Sequence, residues 1–326
     1  MTPSQREKLL TQIARVVKQS RTFFLSGHER PDGDTVASEI AVGSLLKRLK
    51  KQVDIYNAEP VPPSLRFLAG SETIRTAKKV DKNYDVAMIF ECFDGNRMGN
   101  IIDLKKQAKH VINIDHHLMH SNFGTINFVN VLASSNSEQL VYLFEKLKMP
   151  ITQAEAMALY TGIATDTGRF QHSNTNAETF RIAGKLVERG ANPALISERV
   201  FTTRNHSGIK LLGHVLTELQ IIEQGKIAYA AITREDFRKM GSSEDDVEDI
   251  VNYGLQVPTV LVSILVRESE NGGGVKVSLR SRRNVDVCKL ARIFGGGGHK
   301  YASGCKIKGS VREVTQKIIE SARTIL

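Results

Sequence analysis

Several features that define other classes of protein are missing from this sequence. Its 326 residues include only three cysteines, which are far apart and odd in number, so neither a disulfide framework nor a thiolate zinc site is expected. No apolar run approaches the roughly 20 residues that cross a bilayer, and the N-terminus is polar. We therefore expect a cytoplasmic protein that has no membrane segment, and the sequence indicates no obligate protein partner.

Aromatic residues and several catalytic motifs are also scarce or absent. Aromatics make up 6% of the chain and there is no tryptophan. The chain lacks G-x-x-x-x-G-K-[ST], H-E-x-x-H and G-x-S-x-G, which excludes P-loop nucleotide hydrolysis, zincin proteolysis and α/β-hydrolase chemistry. Positive charge is in excess, because 45 Lys and Arg against 35 Asp and Glu give a formal charge of +10. This charge favours an anionic partner but specifies no reaction.

The hydrophobic pattern alternates between helical and extended segments. Residues 1–190 alternate amphipathic helices with short apolar runs, which predicts an α/β domain with a mostly parallel sheet. Residues 191–225 predict a helical connector, and residues 226–326 predict a second, smaller α/β domain. The strands of the first domain are predicted at residues 23–25, 53–56, 85–90 and 110–114.

Acidic and histidine side chains follow the predicted strands of the first domain. The segment GHERPDGDT, residues 27–35, directly follows the first strand, although a turn with a helix cap would also explain it. The segments IFECFDG, NIDHHLMH and GIATDTGRF place similar side chains after later apolar stretches. Ligands of parallel sheets gather at the carboxyl ends of the strands, so we expect these segments to meet. The candidate metal ligands are His28, Asp32, Asp34, Glu91, His116 and Asp166.

These six side chains offer nitrogen and oxygen donors and no thiolate. A single structural zinc takes only four ligands, so six donors with one bridging carboxylate fit two metal ions better. Mixed imidazole and carboxylate donors suit Mn²⁺, although iron, cobalt or zinc would also be held. Two such ions activate a bridging water and neutralise the charge that grows on a phosphoryl group. The donor set therefore predicts a site for two divalent metal ions, with Mn²⁺ as one candidate, and this chemistry suits hydrolysis of phosphate esters.

The C-terminal part contains a glycine-rich motif, GGGGHKYASG, at residues 295–304. Consecutive glycines let a ligand approach the backbone and expose N–H donors to a phosphate, whereas a flexible loop is the alternative explanation. Cationic residues near the motif favour a phosphate site, because arginine makes charge-assisted hydrogen bonds to phosphate. The predicted substrate-binding residues are Arg280, Gly296, Gly297, Gly298 and His299.

Together these segments resemble the motifs of the DHH phosphoesterase family. The resemblance rests on GHERPDGD, on Glu91 with Arg97 and Gly99 behind it, on NIDHH and on TDTGRF. The tail resembles the DHH-associated C-terminal domain, so the resemblance covers nearly the whole chain in the right order. The size and layout are most similar to the branch of nanoRNases and 3′-phosphoadenosine 5′-phosphate phosphatases. This resemblance implies an active site in the cleft between the two domains.

The resemblance also implies a role for each site residue. Asp115 would support the site by orienting a neighbouring ligand, and His117 would lie near the scissile phosphate as hydrogen-bond donor or general acid. The sequence departs from the family at Glu91, where Asp is usual, and Asp94 is a nearby alternative ligand. The C-terminal motif would bind the phosphate of the terminal nucleotide. The implied metal ligands are His28 and Asp32 for one Mn²⁺, Asp34, His116 and Asp166 for the other, and Glu91 as the bridge.

The function implied is a manganese-dependent phosphoesterase for short oligoribonucleotides and nucleotides. It would release nucleoside 5′-monophosphates from short RNA and convert 3′-phosphoadenosine 5′-phosphate to AMP. Two alternatives stay open: a soluble phosphodiesterase for linear or cyclic dinucleotides, and a nucleotide-binding module with a degenerate metal site, which Glu91 favours. The sequence leaves open the preferred substrate, the polarity of attack, the physiological metal and whether the chain forms a homo-oligomer.

Overall fold

The computed structural model describes residues 1–117, 121–247, 249–269 and 272–326. The chain divides into two compact units, Met1–Thr203 and Arg204–Leu326. Each unit has a hydrophobic core of its own, so each is described separately. Among the described residues, none of the helices combines the length and the apolar character that crossing a lipid bilayer requires.

The first unit is built on a six-stranded parallel sheet. Its strands are β1 (Thr22–Ser26), β2 (Gln52–Asn57), β3 (Ile74–Thr76), β4 (Tyr84–Phe90), β5 (Ala108–Asp115) and β6 (Ile126–Val129). They lie in the order β3-β2-β1-β4-β5-β6, and every neighbouring pair is parallel. Strands β1, β4 and β5 are therefore neighbours, and their carboxyl ends lie side by side at one edge of the sheet.

Helices cover this sheet and bury its apolar side chains. They are α1 (Pro3–Gln19), α2 (Gly33–Arg48), α3 (Leu104–Gln107), α4 (Asn136–Lys146), α5 (Gln153–Asp166), α6 (Ala177–Glu188) and α7 (Pro193–Ile196). Phe23 of β1, Met88 of β4 and Leu45 of α2 are fully buried in one core. Burial of each such side chain contributes about 1.5–3 kcal/mol. The predicted α/β fold with a mostly parallel sheet is confirmed.

The second unit is a smaller α/β domain with a mostly antiparallel sheet. Its strands are β7 (Gln220–Ile222), β8 (Ile227–Ile232), β9 (Val262–Glu268), β10 (Val275–Ser281), β11 (Gly297–His299) and β12 (Ala302–Ile307). Their order is β11-β12-β10-β9-β8-β7, and only β8 and β9 pair in parallel among the described pairs. Its helices are α8 (His206–Thr217), α9 (Arg234–Met240), α10 (Val287–Ile293) and α11 (Val311–Arg323).

Candidate metal centre

The predicted ligands come from three strand ends and two helix ends. His28, Glu91 and His116 follow β1, β4 and β5 by one or two residues. Asp32 is the N-cap of α2, and its Oδ1 accepts a hydrogen bond from the Thr35 backbone N–H at 3.0 Å. The segment GHERPDGDT is therefore a short loop followed by the first helical turn, with a capping aspartate between them. Asp34 lies in α2, and Asp166 is the last residue of α5.

Four of the six predicted donors form one cluster. Asp34, Glu91, His116 and Asp166 each offer a ligand atom, and these atoms all lie within 4.8 Å of one another. Nε2 of His116 is 2.8 Å from Oδ2 of Asp166 and 3.3 Å from Oε2 of Glu91. Asp34, Glu91 and His116 are buried and Asp166 is partly exposed. Carboxylates grouped with an imidazole in this way suit a divalent cation.

The first turn of α4 anchors the Asp34 carboxylate. Its Oδ2 accepts a hydrogen bond from the Asn136 backbone N–H at 2.5 Å, and its Oδ1 accepts one from the Ser137 backbone N–H at 2.9 Å. Backbone N–H groups at a helix start lack partners within the helix and carry partial positive charge. Burial raises the pKa of Asp34 to about 6, and the negative charge of Asp166 adds to this increase.

Glu91 reaches the cluster from an unusual backbone conformation. Its φ is 59°, a left-handed value that is uncommon for residues other than glycine and that recurs at functional sites. Burial raises the pKa of Glu91 well above its usual range, although His116 opposes this increase. Within the described part of the chain, Oε1 of Glu91 has no hydrogen-bond partner. Buried carboxylates that crowd one another need a positive charge, so the cluster fits a metal cation.

Asp94, the alternative ligand considered for this position, has a different role. It is the N-cap of the 3₁₀ helix Gly95–Met98, and its Oδ1 accepts a hydrogen bond from the Asn96 backbone N–H at 2.9 Å. A second group of clustered donors among the described residues consists of Glu91, His116 and His117, and Asp94 belongs to neither group. The longer Glu91 side chain thus places a carboxylate in the cluster without help from Asp94.

The two adjacent histidines after β5 have different hydrogen-bond partners. Nδ1 of His116 lies 3.3 Å from the carbonyl oxygen of Ala133, to which it must donate, so its Nε2 is directed at the carboxylates. Nδ1 of His117 lies 2.6 Å from Oδ1 of Asp115. Burial alone would raise the pKa of Asp115, but the bond from His117 holds it below its ordinary value. Asp115 therefore orients His117 rather than the imidazole of His116.

His28 and Asp32 form a pair of their own. Nε2 of His28 lies 3.4 Å from Oδ2 of Asp32, and neither residue belongs to the clustered groups found among the described residues. Burial lowers the pKa of His28, but the Asp32 carboxylate and the hydrogen bond to the Glu29 carbonyl oxygen raise it, and the net shift is upward. Asp32 lies two residues before Asp34, and its negative charge contributes to the raised pKa of Asp34.

In the second unit, the glycine-rich motif forms an edge strand. A Cβ placed on Gly298, whose φ is 134°, would lie 2.6 Å from the carbonyl oxygen of Ala302, and one on Gly296 would lie 2.2 Å from that of Gly304. These two glycines are required by the close approach of β12. A Cβ on Gly297 meets no described atom within 4 Å, so this position is open. Strand β10 carries Arg280, which lies opposite Ala302 of β12.

Three further observations concern residues that the sequence singled out or missed. The side chain of His299 lies outside what the structure describes, while its backbone pairs with Ala302. Arg282, one of the cationic residues that favoured a phosphate site, donates hydrogen bonds to the carbonyl oxygens of Val257 and Val260 and so stabilises the domain itself. The sequence argument missed Asn136 and Ser137. Their residue types indicate a helix start, but no local pattern reveals that this helix start contacts Asp34.

Comparison with known proteins follows the same division of the chain. Residues 22–163 match the family described as "DHH family, N-terminal domain", and residues 224–326 match the "DHHA1 domain". A Thermus thermophilus protein named bifunctional oligoribonuclease and PAP phosphatase NrnA is 29% identical, over 98% of this chain and 94% of its own. The Bacillus subtilis protein of the same name is 25% identical, over 91% of this chain and 93% of its own.

A solved structure extends the similarity to three dimensions. The exopolyphosphatase-related protein from Bacteroides fragilis superposes with a TM-score of 0.91 at 26% identity, over 97% of this chain and 96% of that protein. Two matching domains in the expected order thus accompany a carboxylate and imidazole cluster at the strand ends of the first domain. The chain therefore belongs to the DHH family of phosphoesterases, which hydrolyse phosphoester bonds.

Proposed function

We propose that the chain is a manganese-dependent phosphoesterase that hydrolyses short oligoribonucleotides to nucleoside 5′-monophosphates. It also converts 3′-phosphoadenosine 5′-phosphate to AMP. The observation that carries this proposal is the cluster of Asp34, Glu91, His116 and Asp166, whose ligand atoms lie within 4.8 Å of one another. Its support is the similarity, over nearly the full length, to relatives named for both activities.

The proposed metal centre uses two ligand sets. His28 and Asp32 would hold one Mn²⁺, Asp34, His116 and Asp166 would hold the other, and Glu91 would be shared between the two. When bound, the two ions supply an activated water and neutralise charge that develops on the phosphoryl oxygens. The chain's own contribution is to hold the carboxylates in place, and the bonds from Asn136 and Ser137 to Asp34 support this role.

His117 would transfer the proton, and Asp115 would hold the His117 ring in position. The Nδ1 of His117 is held by Asp115 at 2.6 Å, which fixes both the tautomer and the direction of the ring. In the proposed mechanism His117 donates a proton from Nε2 to the leaving oxygen, and the carboxylate of Asp115 stabilises the imidazolium before that transfer. Asp115 remains ionised throughout, in agreement with its lowered pKa.

The second domain binds the terminal nucleotide in this proposal. Gly297 lies in the edge strand β11 and is open on the side where a Cβ would stand, so its backbone is accessible to a phosphate. Arg280 and His299 supply charge-assisted hydrogen bonds to the same phosphate, and Gly296 and Gly298 keep the strand in place. A clamp on one terminal phosphate explains selectivity for short RNA, because a longer strand gains no further contact from it.

The deciding experiment is an assay of product release from RNA of increasing length in Mn²⁺ and then in chelator. Dinucleotide, tetranucleotide and long single-stranded RNA are compared with 3′-phosphoadenosine 5′-phosphate and cyclic di-AMP. Preference for the shortest RNA, lost in chelator, is the expected result. Preferred cleavage of cyclic di-AMP would instead assign the chain to dinucleotide signalling, and no Mn²⁺-dependent product would favour the degenerate binding module.

A matched pair of variants links this activity to the cluster. Asp166→Asn removes one ligand charge and should abolish Mn²⁺-dependent turnover. Glu188→Gln neutralises an exposed carboxylate on α6 in the same unit and should leave turnover unchanged. Equal activity in the two variants would contradict the assigned site.

A further inference from the structure

Glu39 is a buried acid that the proposed mechanism does not use. It lies in α2, its side chain is fully buried, and its Oε2 accepts a hydrogen bond from Nδ2 of Asn57 at 2.9 Å. Burial raises the pKa of Glu39 to about 8. A carboxyl group in the interior is costly unless its bonds compensate, so its presence in this core needs an explanation.

Asn57 connects Glu39 to the turn that follows β1. It is the last residue of β2 and is fully buried. Its Oδ1 lies 3.3 Å from the backbone N of Gly27 and 3.4 Å from Oγ of Ser26, and it accepts a hydrogen bond from each. Because Nδ2 of Asn57 donates to Glu39, Oδ1 of the same amide is directed at the backbone N–H of Gly27.

Gly27 leads directly into His28, and the space around it is narrow. A Cβ on Gly27 would lie 2.1 Å from Cγ2 of Thr35, 3.3 Å from the carbonyl oxygen of Phe90 and 3.4 Å from Oε1 of Glu39. The turn thus fits closely between α2 and the end of β4. A small rotation at Gly27 would move the His28 imidazole, which lies 3.4 Å from Asp32.

We propose that Glu39 is a positioning residue that sets the direction of His28, acting through Asn57 and the backbone of Gly27. This inference rests on the metal role proposed above for His28. The ring of His28 is itself held at Nδ1 by the carbonyl oxygen of Glu29, 2.6 Å away, so Glu39 acts at a further remove, by fixing the turn that carries His28. Groups that hold a metal-binding histidine in place change metal affinity when they are removed. The effect of Glu39 is therefore on Mn²⁺ binding by the first unit.

Two substitutions at position 39 separate the hydrogen bond from the charge. Glu39→Gln keeps a carbonyl oxygen that accepts from Asn57, whereas Glu39→Leu removes the acceptor at similar volume. We expect Glu39→Leu to weaken Mn²⁺ binding by about 10- to 100-fold and Glu39→Gln to retain the wild-type affinity. Free Mn²⁺ is measured by electron paramagnetic resonance during titration of the full-length protein, and folding is checked by circular dichroism.

Glu155→Leu is the matched control for loss of a buried acid. Glu155 is also fully buried and lies at the start of α5, about 16 Å along that helix from Asp166. Its carboxylate pairs with Arg48 of α2. The Glu155→Leu variant should be less stable than the wild type but should bind Mn²⁺ with the same affinity. Wild-type affinity in Glu39→Leu, or an equal loss in Glu155→Leu, would overturn the inference.

A second variant covers the case in which Glu39→Leu does not fold. Asn57→Ser removes the connecting amide and should weaken Mn²⁺ binding to the same extent, and wild-type affinity in that variant would also overturn the inference. Failure of the wild-type protein itself to bind Mn²⁺ would refute the proposed function, and with it the role of Glu39.

Discussion

The imidazoles of His116 and His117 both lie near Glu91, but that of His116 also contacts Asp166, whereas that of His117 is bonded to Asp115. Their substitutions should therefore differ in effect. His116→Ala removes a cluster donor and should weaken Mn²⁺ binding at least about tenfold. His117→Ala should keep Mn²⁺ binding but lower kcat by about 10²- to 10⁴-fold, because it removes the proposed proton donor. Titration with Mn²⁺ and steady-state kinetics distinguish the two effects.

His110→Ala is the control for this pair. His110 lies in the same strand, β5, but is exposed at its opposite end. Its substitution should alter neither Mn²⁺ affinity nor kcat. If His116→Ala bound Mn²⁺ as tightly as the wild type, the assignment of the cluster would be wrong.

At the scale of residues, the sequence predicted that His28, Glu91 and His116 follow strands, whereas the structure places Asp34 and Asp166 in helices. Glu91 and His116 could be placed because each follows an apolar run that forms a central strand. The partner of Asp34 could not be predicted, since Asn136 is 102 positions away and only the packing of α4 brings it near. The same holds for Glu39 and Asn57, whose contact depends on how α2 packs on the sheet.

At the scale of elements, substitution of two glycines in the edge strand β11 by alanine should have opposite effects on stability. Gly298→Ala places a Cβ 2.6 Å from a backbone oxygen at a φ of 134° and should destabilise the protein by at least about 1 kcal/mol. Gly297→Ala meets open space and should fold like the wild type. If a phosphate approaches the backbone here, Gly297→Ala should raise KM while the melting temperature is unchanged. Kinetics and thermal melting on the same preparations test both expectations.

Strand β2 carries an ion-pair network that predicts a dependence of stability on pH. Burial would raise the pKa of Asp54, but hydrogen bonds from Lys82, at 2.7 Å, and Tyr84, at 3.0 Å, bring it below its ordinary value. A carboxyl group whose pKa is lowered in the folded state stabilises the protein above its unfolded-state pKa of about 3.9. That contribution disappears as the pH falls from there through the folded-state pKa.

Asp54→Asn should therefore lower the free energy of unfolding by about 1 kcal/mol at neutral pH. The difference from the wild type should vanish in strong acid, where Asp54 is protonated in both states. Urea denaturation at a series of pH values measures this difference in the free energy of unfolding. Glu320→Gln, which neutralises an exposed carboxylate on α11, should show no such difference.

Among the elements, the long central strands were predicted and the short edge strands were not. Strands β4 and β5 contain buried apolar side chains over most of their length, and both were predicted within two residues of their bounds. Strands β3 and β11 have three residues each, and their backbone pairing depends on neighbours already in place. Gly297 and Gly298 carry no side-chain pattern, so no alternation could indicate a strand there.

At the scale of the whole molecule, Met1–Thr203 and Arg204–Leu326 have separate cores. We therefore expect their melting temperatures to respond differently to metal. All proposed ligands lie in the first unit, so Mn²⁺ should raise the melting temperature of that unit alone. A ligand at 100 times its dissociation constant adds about 2.7 kcal/mol to the stability of the unit that binds it. Differential scanning calorimetry should show one transition that moves with Mn²⁺ and one that does not. A uniform shift of both transitions would contradict the placement of every ligand in the first unit.

The anchoring of Asp34 by the first turn of α4 bears on how the protein responds to metal supply. Because two backbone N–H groups hold this carboxylate, its position does not depend on a bound cation. Withdrawal of the ion should leave the fold intact and activity recoverable on return of the metal. Under the proposed function, loss of Mn²⁺ would stop hydrolysis reversibly, and activity would return with the ion without synthesis of new protein.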